Sequence, residues 1–302
     1  MRAARRARAA LLAFFAATAV APLGAEDASP PGHLLRYRFE ALAGGTARYT
    51  VETELRQTVR HGEGPPQEGL RWRRDRIEQR FERRGRAGRI RQRTLRVELR
   101  VVTPDGEERT WDSERGEDPP EGFERAGLRR LHRTVVLEAT PRGVLTRVRG
   151  AVDGLDRAAY QASLLKLPEE PVAVGAGWRR PAAQRVPYPP FGTLIYFTRY
   201  RLASFEPASD PADARWTVEA TTTVSLDPDP PTPGQAPREV LLTRQEAGGT
   251  LRFDGNGLLL ESRFRSLLEV TVVSEGVRRV ERARSHTLQR LRSFEPGRRR
   301  GR

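Results

Sequence analysis

Apolar and polar residues alternate with a period of two along much of the chain. In residues 47–59, Tyr49 and Val51 occupy odd positions, whereas charged and hydroxyl side chains occupy the even positions. This pattern predicts an antiparallel β-strand with one face towards a core and the other towards water. Residues 34–39 alternate in the same way, and we expect them to pair with this strand as a hairpin through residues 41–45.

Similar alternation predicts further strands in both halves of the chain. Within residues 70–83, the apolar residues change from even to odd positions after residue 72. A β-bulge or a sharp bend between Arg73 and Arg76 would account for this change of phase. The other long strands are expected at residues 89–102, 193–206, 214–227, 239–254, 257–273 and 277–291.

Two segments show helical spacing instead. Apolar residues recur every three or four positions in residues 123–133 and 153–167, and Asp153 is a suitable N-cap for the second segment. We therefore predict a β-rich α+β fold, with long antiparallel strands in one or two curved, open-barrel-like sheets and two short inserted helices. The expected regions are a signal peptide at 1–25, halves at 26–170 and 171–291, and a disordered basic tail at 292–302.

The N-terminus has the pattern of a secretory signal peptide. Arginines dominate residues 1–8, an apolar run of 13 residues follows at 9–21, and small residues end at Ala25. The apolar run is shorter than the about 20 residues that a spanning helix needs. We expect cleavage near Ala25 and a secreted or periplasmic protein; the alternative is an uncleaved N-terminal membrane anchor.

The charge balance is strongly basic. The chain contains 54 Lys and Arg against 39 Asp and Glu, a net charge of +15, and Lys166 is the only lysine. Such a balance favours anionic partners such as lipid headgroups or acidic polymers. Export argues against a nucleic-acid partner. The chain has no cysteine, so disulfides and an N-terminal lipid anchor on cysteine are excluded.

The most basic segment lies at residues 71–93. On alternating strands its arginines would form a solvated face, which is the simpler interpretation. The alternative is an anion-binding surface for phosphate-bearing lipids or acidic glycans. The candidate anion-binding residues are Arg71, Arg73, Arg74, Arg91 and Arg93.

Aromatic residues are concentrated in residues 188–200 and recur at Trp216. Such a cluster is typical of a core, and it is also typical of the rim of a ligand cavity. The candidate ligand-binding residues are Tyr196, Phe197, Tyr200 and Trp216.

The segment "FDGNGLLLESRF" resembles the first positions of a calcium loop. Such a loop needs a further oxygen ligand at position 258 and a glutamate at its twelfth position. Leu258 and Arg265 stand there instead. Glycine and asparagine suit a hairpin turn, so we predict a sheet corner at residues 255–257. The four histidines show no ligand spacing, and we expect no metal and no cofactor.

Three segments resemble a family of exported β-rich bacterial proteins of the planctomycete type. They are "LPEEPVAVGAGW" at 167–178, "GGTLRFDGNGLLLESRF" at 248–264 and "RSHTLQRL" at 284–291. The resemblance spans residues 34–291, implies a β-rich exported protein and carries no catalytic residues. Many relatives of this type carry a lipobox or a membrane anchor, whereas this chain has no cysteine, so the resemblance does not imply a shared membrane tether.

No motif of a serine hydrolase, zinc protease or nucleotide-binding loop is present. Our first hypothesis is therefore a non-catalytic envelope protein that binds an apolar or anionic ligand, such as a lipid, in a sheet-lined cavity, with peripheral membrane contact. The second is a periplasmic interaction module whose arginine-rich face meets a partner or anionic polymer. The third is a hydrolase without a recognisable motif.

Overall fold

The computed structural model describes residues 32–116, 118–119, 131–151, 160, 163–180, 183–188, 192–228 and 238–297, with the backbone alone at 187, 188 and 238. The predicted signal peptide lies outside these residues. The same is true of nearly all of residues 123–133 and of most of residues 153–167, where the two inserted helices are predicted.

The described residues form thirteen strands and one short helix. In chain order they are α1 (Phe39–Leu42), β1 (Thr46–His61), β2 (Gln67–Arg84), β3 (Ala87–Val102), β4 (Glu108–Asp112), β5 (Thr134–Ala139), β6 (Leu145–Arg149), β7 (Gly177–Arg179), β8 (Gln184–Tyr188), β9 (Gly192–Glu206), β10 (Arg215–Pro228), β11 (Arg238–Asp254), β12 (Leu259–Ser274) and β13 (Val277–Glu295). No helix among these residues is both long and apolar enough to cross a membrane.

All strands belong to one open antiparallel sheet, which confirms the predicted β-rich fold. The strand order is β6-β5-β3-β2-β1-β13-β12-β11-β10-β9-β7, with β4 paired to β3 and β8 paired to β9. Two meanders of sequential strands are therefore joined by the pairing of the first and last strands, from Thr46 opposite Glu295 to His61 opposite Arg279. Strands from both predicted halves share this sheet.

The last strand is longer than predicted. β13 extends to Glu295, so residues 293–295, which the sequence assigns to the disordered tail, pair with the beginning of β1. Residues 298–302 lie outside the described part of the chain.

The two faces of the sheet differ as the alternation predicts. We call the face that carries Tyr49, Leu202 and Trp216 the inner face and the opposite one the outer face. These three residues are at most 2% exposed and belong to the main core cluster. On the outer face, charged residues two positions apart on one strand form ion pairs, such as Arg56 with Glu54 at 2.6 Å. Single exposed pairs add little stability, but they keep this face hydrated.

The expected strand at residues 34–39 is wrong. Residues 32–38, which we call the crossing segment, belong to no strand and form a single isolated bridge, between His33 and Val172. The Tyr37 N–H donates to the Pro141 carbonyl (2.7 Å), and the Arg38 N–H donates to the Asn256 carbonyl (2.9 Å). The chain then forms α1 where a hairpin was expected. Leu35 and Tyr37 are nevertheless buried, because an extended segment laid against a sheet also buries alternate side chains.

The bulge expected in β2 between Arg73 and Arg76 is also wrong. The register between β1 and β2 runs through these residues without a shift. The extra residue is instead Leu95 of β3, because Arg76 lies opposite Arg96 while Ile77 lies opposite Thr94. Within β2, the change of phase means that apolar residues occur on both faces of the strand.

Candidate functional site

A cavity of about 410 Å³ lies on the inner face of the sheet. Its size falls within the roughly 300–1,000 Å³ that is typical of small-ligand pockets. Val51 of β1, Ile77 of β2 and Ile90 of β3 line it from three neighbouring strands. They point to the same face because each lies on the inner side of its alternating strand.

The opposite wall of the cavity comes from segments outside the sheet. Tyr37 of the crossing segment, Leu165 and Leu258 contribute side chains to it. All three are at most 5% exposed, so this wall is as well buried as the core. The cavity is therefore a gap between the sheet and the chain segments that cover it.

The crossing segment is held in place by the turn between β11 and β12. Gly257 has a φ of +82°, a left-handed backbone conformation that favours glycine. A side chain at Gly257 would also lie 2.8 Å from the Arg36 carbonyl oxygen. Close contact between the turn and the crossing segment therefore requires glycine at this position.

Part of the cavity wall is polar. The Arg73 guanidinium donates from Nε to both carboxylate oxygens of Asp75, at 2.7 and 2.9 Å. Both side chains are largely shielded from solvent, with 21% and 15% exposed. The Gln79 amide donates to the Gln92 carbonyl oxygen at 2.8 Å across β2 and β3. The two polar pairs lie on opposite sides of Ile77 along β2. The cavity thus combines apolar walls with fixed polar groups at two levels, as expected for a ligand with apolar and polar parts.

The two tyrosines beside the cavity stay protonated well into the alkaline range. Burial raises the pKa of Tyr37 above its ordinary value, although a hydrogen bond with the Leu165 backbone acts in the opposite direction. Burial also raises the pKa of Tyr49, and the charge of Asp254 adds to that effect. At neutral pH both phenols are therefore neutral groups that can donate and accept hydrogen bonds.

The structure separates the four aromatic residues proposed as ligand contacts. Tyr196, Tyr200 and Trp216 lie on the inner face, whereas Phe197 lies on the outer face and is 52% exposed. Consecutive residues of a strand point to opposite faces, so Tyr196 and Phe197 cannot share a site there. Trp216 is buried and stacks on Phe253, with ring centroids 4.1 Å apart.

Phe253 itself lines the cavity, so Trp216 supports the cavity wall from the next strand without lining it. Tyr200 lies further along β9, where its ring is 5.7 Å from that of Trp178. Neither Tyr196 nor Tyr200 lines the cavity. The sequence analysis did not propose Val51 and Ile77 as cavity-lining residues, although the alternation predicted that their side chains face inward.

The five arginines proposed for anion binding also divide between the faces. Arg71 and Arg73 lie on the inner face, and only Arg73 reaches the cavity. Arg74, Arg91 and Arg93 lie on the outer face. They therefore form no single patch.

Two of the outer arginines are already engaged by carboxylates. Arg74 is 3.1 Å from Glu52 and 3.4 Å from Glu98, and its guanidinium lies 4.9 Å from the Trp72 ring centroid. Arg91 pairs with Glu82 at 2.6 Å. The simpler interpretation of this segment, a hydrated charged face, fits these contacts.

The predicted corner at residues 255–257 is confirmed. β11 ends at Asp254 and β12 begins at Leu259. One Asp254 carboxylate oxygen accepts hydrogen bonds from the Asn256 and Leu258 backbone N–H groups, at 2.9 and 2.8 Å. Burial raises the pKa of Asp254 despite these bonds. The carboxylate therefore stabilises the turn, and no group of three metal-binding side chains occurs in the described part of the chain.

Comparisons with known proteins identify no family. No family model matches the chain, and no curated protein matches it significantly. Among solved structures, one similar chain comes from a study of lipid–protein interactions in lipovitellin, with a TM-score of 0.49 and 10% sequence identity. The match covers 87% of this chain and 26% of the lipovitellin chain, so this protein spans about a quarter of that chain's length.

Proposed function

We propose that this protein binds an amphipathic, lipid-like ligand in the cavity on the inner face of the sheet. The observation that carries the proposal is the combination of volume and lining: about 410 Å³, with apolar walls in which a few polar groups are interspersed. In this proposal the protein acts outside the cytoplasm, for which residues 1–25 are the supporting feature, and it carries out no reaction step.

The apolar wall supplies the affinity in this proposal. Each methylene transferred from water to an apolar wall contributes roughly 0.8 kcal/mol, and the walls of Val51, Ile77 and Ile90 offer only hydrocarbon. The segments that contain Tyr37 and Leu165 cover the cavity. They limit the access of water to the hydrocarbon chain of the ligand.

The Gln79–Gln92 pair would orient the ligand. The two amides have donor and acceptor sites beyond the single bond that they make to each other. A polar headgroup placed there would replace the water lost on binding, whereas a hydrocarbon end would leave these groups without that water.

Native mass spectrometry tests the proposal directly. The protein would be produced in a bacterial periplasm, purified without detergent and measured before and after lipid extraction. We expect one acyl-containing species per chain, lost on extraction. A single mass equal to that of the bare polypeptide, with no loading after incubation with fatty acid or phospholipid, would contradict the proposal.

A pair of tryptophan variants locates the ligand. Val51→Trp places a large side chain in the cavity, and we expect it to lose most of the bound ligand. Thr223→Trp is the matched control, because Thr223 is exposed on the outer face of β10. Equal occupancy in the two variants would show that any ligand binds elsewhere.

A competition experiment tests the orientation. A fluorescent fatty acid bound to the protein should be displaced by palmitate more readily than by hexadecane, because only palmitate can meet the polar wall. Equal displacement would show that Gln79 and Gln92 do not contact the ligand.

A further inference from the structure

A second concavity, of about 610 Å³, lies on the outer face, at the end of β1 and the starts of β2 and β13. It is strongly basic. Five arginines line it, accompanied by two carboxylates, Glu68 and Glu269. The arginines are Arg56, Arg60, Arg278, Arg282 and Arg284. None of them belongs to the segment 71–93 that sequence reasoning singled out.

The carboxylates around this concavity neutralise only part of its charge. Arg56 pairs with Glu54 at 2.6 Å, and Arg282 donates to Glu269 from Nε at 2.9 Å. Within the described residues, the three remaining arginines of the concavity form no ion pair; they are Arg60, Arg278 and Arg284, and all three are exposed.

The strand register adds an energetic argument. Arg56 of β1 lies directly opposite Arg284 of β13. Like charges in this position destabilise an antiparallel pair. Arginines also lie opposite each other elsewhere on the outer face, as Arg76 with Arg96 and Arg80 with Arg91. The pair of Arg56 and Arg284 differs because two further arginines without an ion pair among the described residues, Arg60 and Arg278, share its concavity. An anion between Arg56 and Arg284 would remove the repulsion that Glu54 leaves.

We propose that Arg60, Arg278 and Arg284, together with Arg56, form a binding site for phosphate groups. A guanidinium presents paired N–H donors that match the oxygens of a phosphate. Four such groups around one concavity supply more positive charge than a single monoanion needs, so the preferred ligand presents two or more phosphates. They come either from a soluble polyphosphate or from neighbouring headgroups of an anionic lipid surface.

This site is separate from the cavity on the inner face of the sheet. Val51 and Arg56 are on the same strand, but Val51 faces the inner side of the sheet and Arg56 the outer side. The test of the phosphate site is therefore independent of whether the cavity on the inner face binds a ligand.

Two binding measurements test the site and distinguish the two sources of phosphate. Isothermal titration calorimetry with pyrophosphate probes a soluble ligand. Co-sedimentation with phosphatidylcholine vesicles containing phosphatidylglycerol probes a lipid surface. The test variant carries Arg60→Gln, Arg278→Gln and Arg284→Gln. The control variant carries Arg48→Gln, Arg201→Gln and Arg263→Gln, which removes the same charge from exposed outer-face arginines that have carboxylate partners.

We expect the test variant to bind at least about tenfold more weakly in one or both measurements, because charge-assisted hydrogen bonds are lost, with the control close to the wild type. Loss with pyrophosphate identifies a soluble phosphate ligand, and loss confined to vesicles identifies lipid headgroups. No binding by the wild type in either measurement, or equal weakening in both variants, would overturn the proposal.

Thermal unfolding measurements show whether a variant that loses phosphate binding is still folded. Removing Arg284 relieves its repulsion with Arg56, so Arg284→Gln should melt at the same temperature as the wild type or higher. This single variant carries the binding test if the triple variant does not fold.

Discussion

The Tyr37 hydroxyl both donates to the Leu165 carbonyl, at 3.2 Å, and accepts from the Leu165 N–H, at 3.1 Å. These residues are 128 positions apart and both are buried. The Tyr37 hydroxyl therefore satisfies the backbone donor and the backbone acceptor of Leu165, a residue that lies outside the sheet. It also ties the crossing segment to residues 163–167, and both segments cover the cavity on the inner face.

Replacing Tyr37 with phenylalanine should destabilise the protein. The ring would still fill its place, but the Leu165 N–H and carbonyl would lose their partner in a buried site, at a cost of about 1–3 kcal/mol. Urea denaturation measures the free energy of unfolding. Tyr196→Phe is the control, because Tyr196 is only partly buried, and it should change stability by less than about 0.5 kcal/mol. Equal effects would contradict the role of the Tyr37 hydroxyl.

Gly88→Ala should also destabilise the protein, because a methyl group at Gly88 in β3 would overlap the buried ring of Phe39 in α1. Such overpacking costs about 1–3 kcal/mol. Gly69→Ala in β2 is the matched control, since its methyl group would meet the Val102 carbonyl oxygen at 3.4 Å and the Pro104 Cδ at 4.0 Å, both ordinary contacts. Thermal unfolding should show a lower midpoint for Gly88→Ala alone; an unchanged midpoint would mean that α1 does not pack on β3 as described.

Stability should decline in alkaline solution. Burial raises the pKa of both Tyr37 and Tyr49 above 10.0, the ordinary value. The folded state therefore keeps these protons while the unfolded state releases them, so the contribution is fully present below about pH 10 and is lost as the pH rises further. Urea unfolding at about pH 8 and pH 11 measures the loss. Tyr37→Phe should lose less than the wild type over this interval.

Stability should also decline in acid, for the opposite reason. A hydrogen bond from Arg96 lowers the pKa of Asp112 below 3.8, and one from Arg282 lowers the pKa of Glu269 below 4.5. Their contributions are present above these values and are lost as the pH falls through the lowered pKa. Asp254 acts in the other sense, because burial raises its pKa.

The acid prediction is checked by urea unfolding between about pH 6 and pH 2. The combined variant Asp112→Asn and Glu269→Gln should show a smaller dependence of the unfolding midpoint on pH than the wild type. The same slope in both proteins would mean that other carboxylates control the acid transition.

The alternation of side chains was sufficient to predict most strands, because a period of two is a local property of the chain. β10 shows this well: Trp216, Val218 and Ala220 are buried, as their spacing predicts. The same signal failed at residues 34–39, where burial alternates but no ladder forms. Side-chain periodicity reports which residues face a core, and the backbone partners depend on segments far away in sequence.

The sequence could not predict the position of the bulge, for the same reason. The pattern in β2 shows a change of phase, yet the extra residue that marks the bulge is Leu95 on the neighbouring strand. A register shift belongs to a pair of strands, and one strand's sequence carries only half of that information.

The sequence by itself determined the class of fold, the corner at residues 255–257 and the division of the chain into inward and outward residues. Local backbone geometry and hydrophobicity are enough for these. Only the tertiary structure decided that β1 pairs with β13, which places Val51 opposite Gln289 in a cavity and Arg56 opposite Arg284 in a basic concavity. Both candidate sites combine residues from distant parts of the chain, and their proximity depends on strand register and on the segments that cover the sheet.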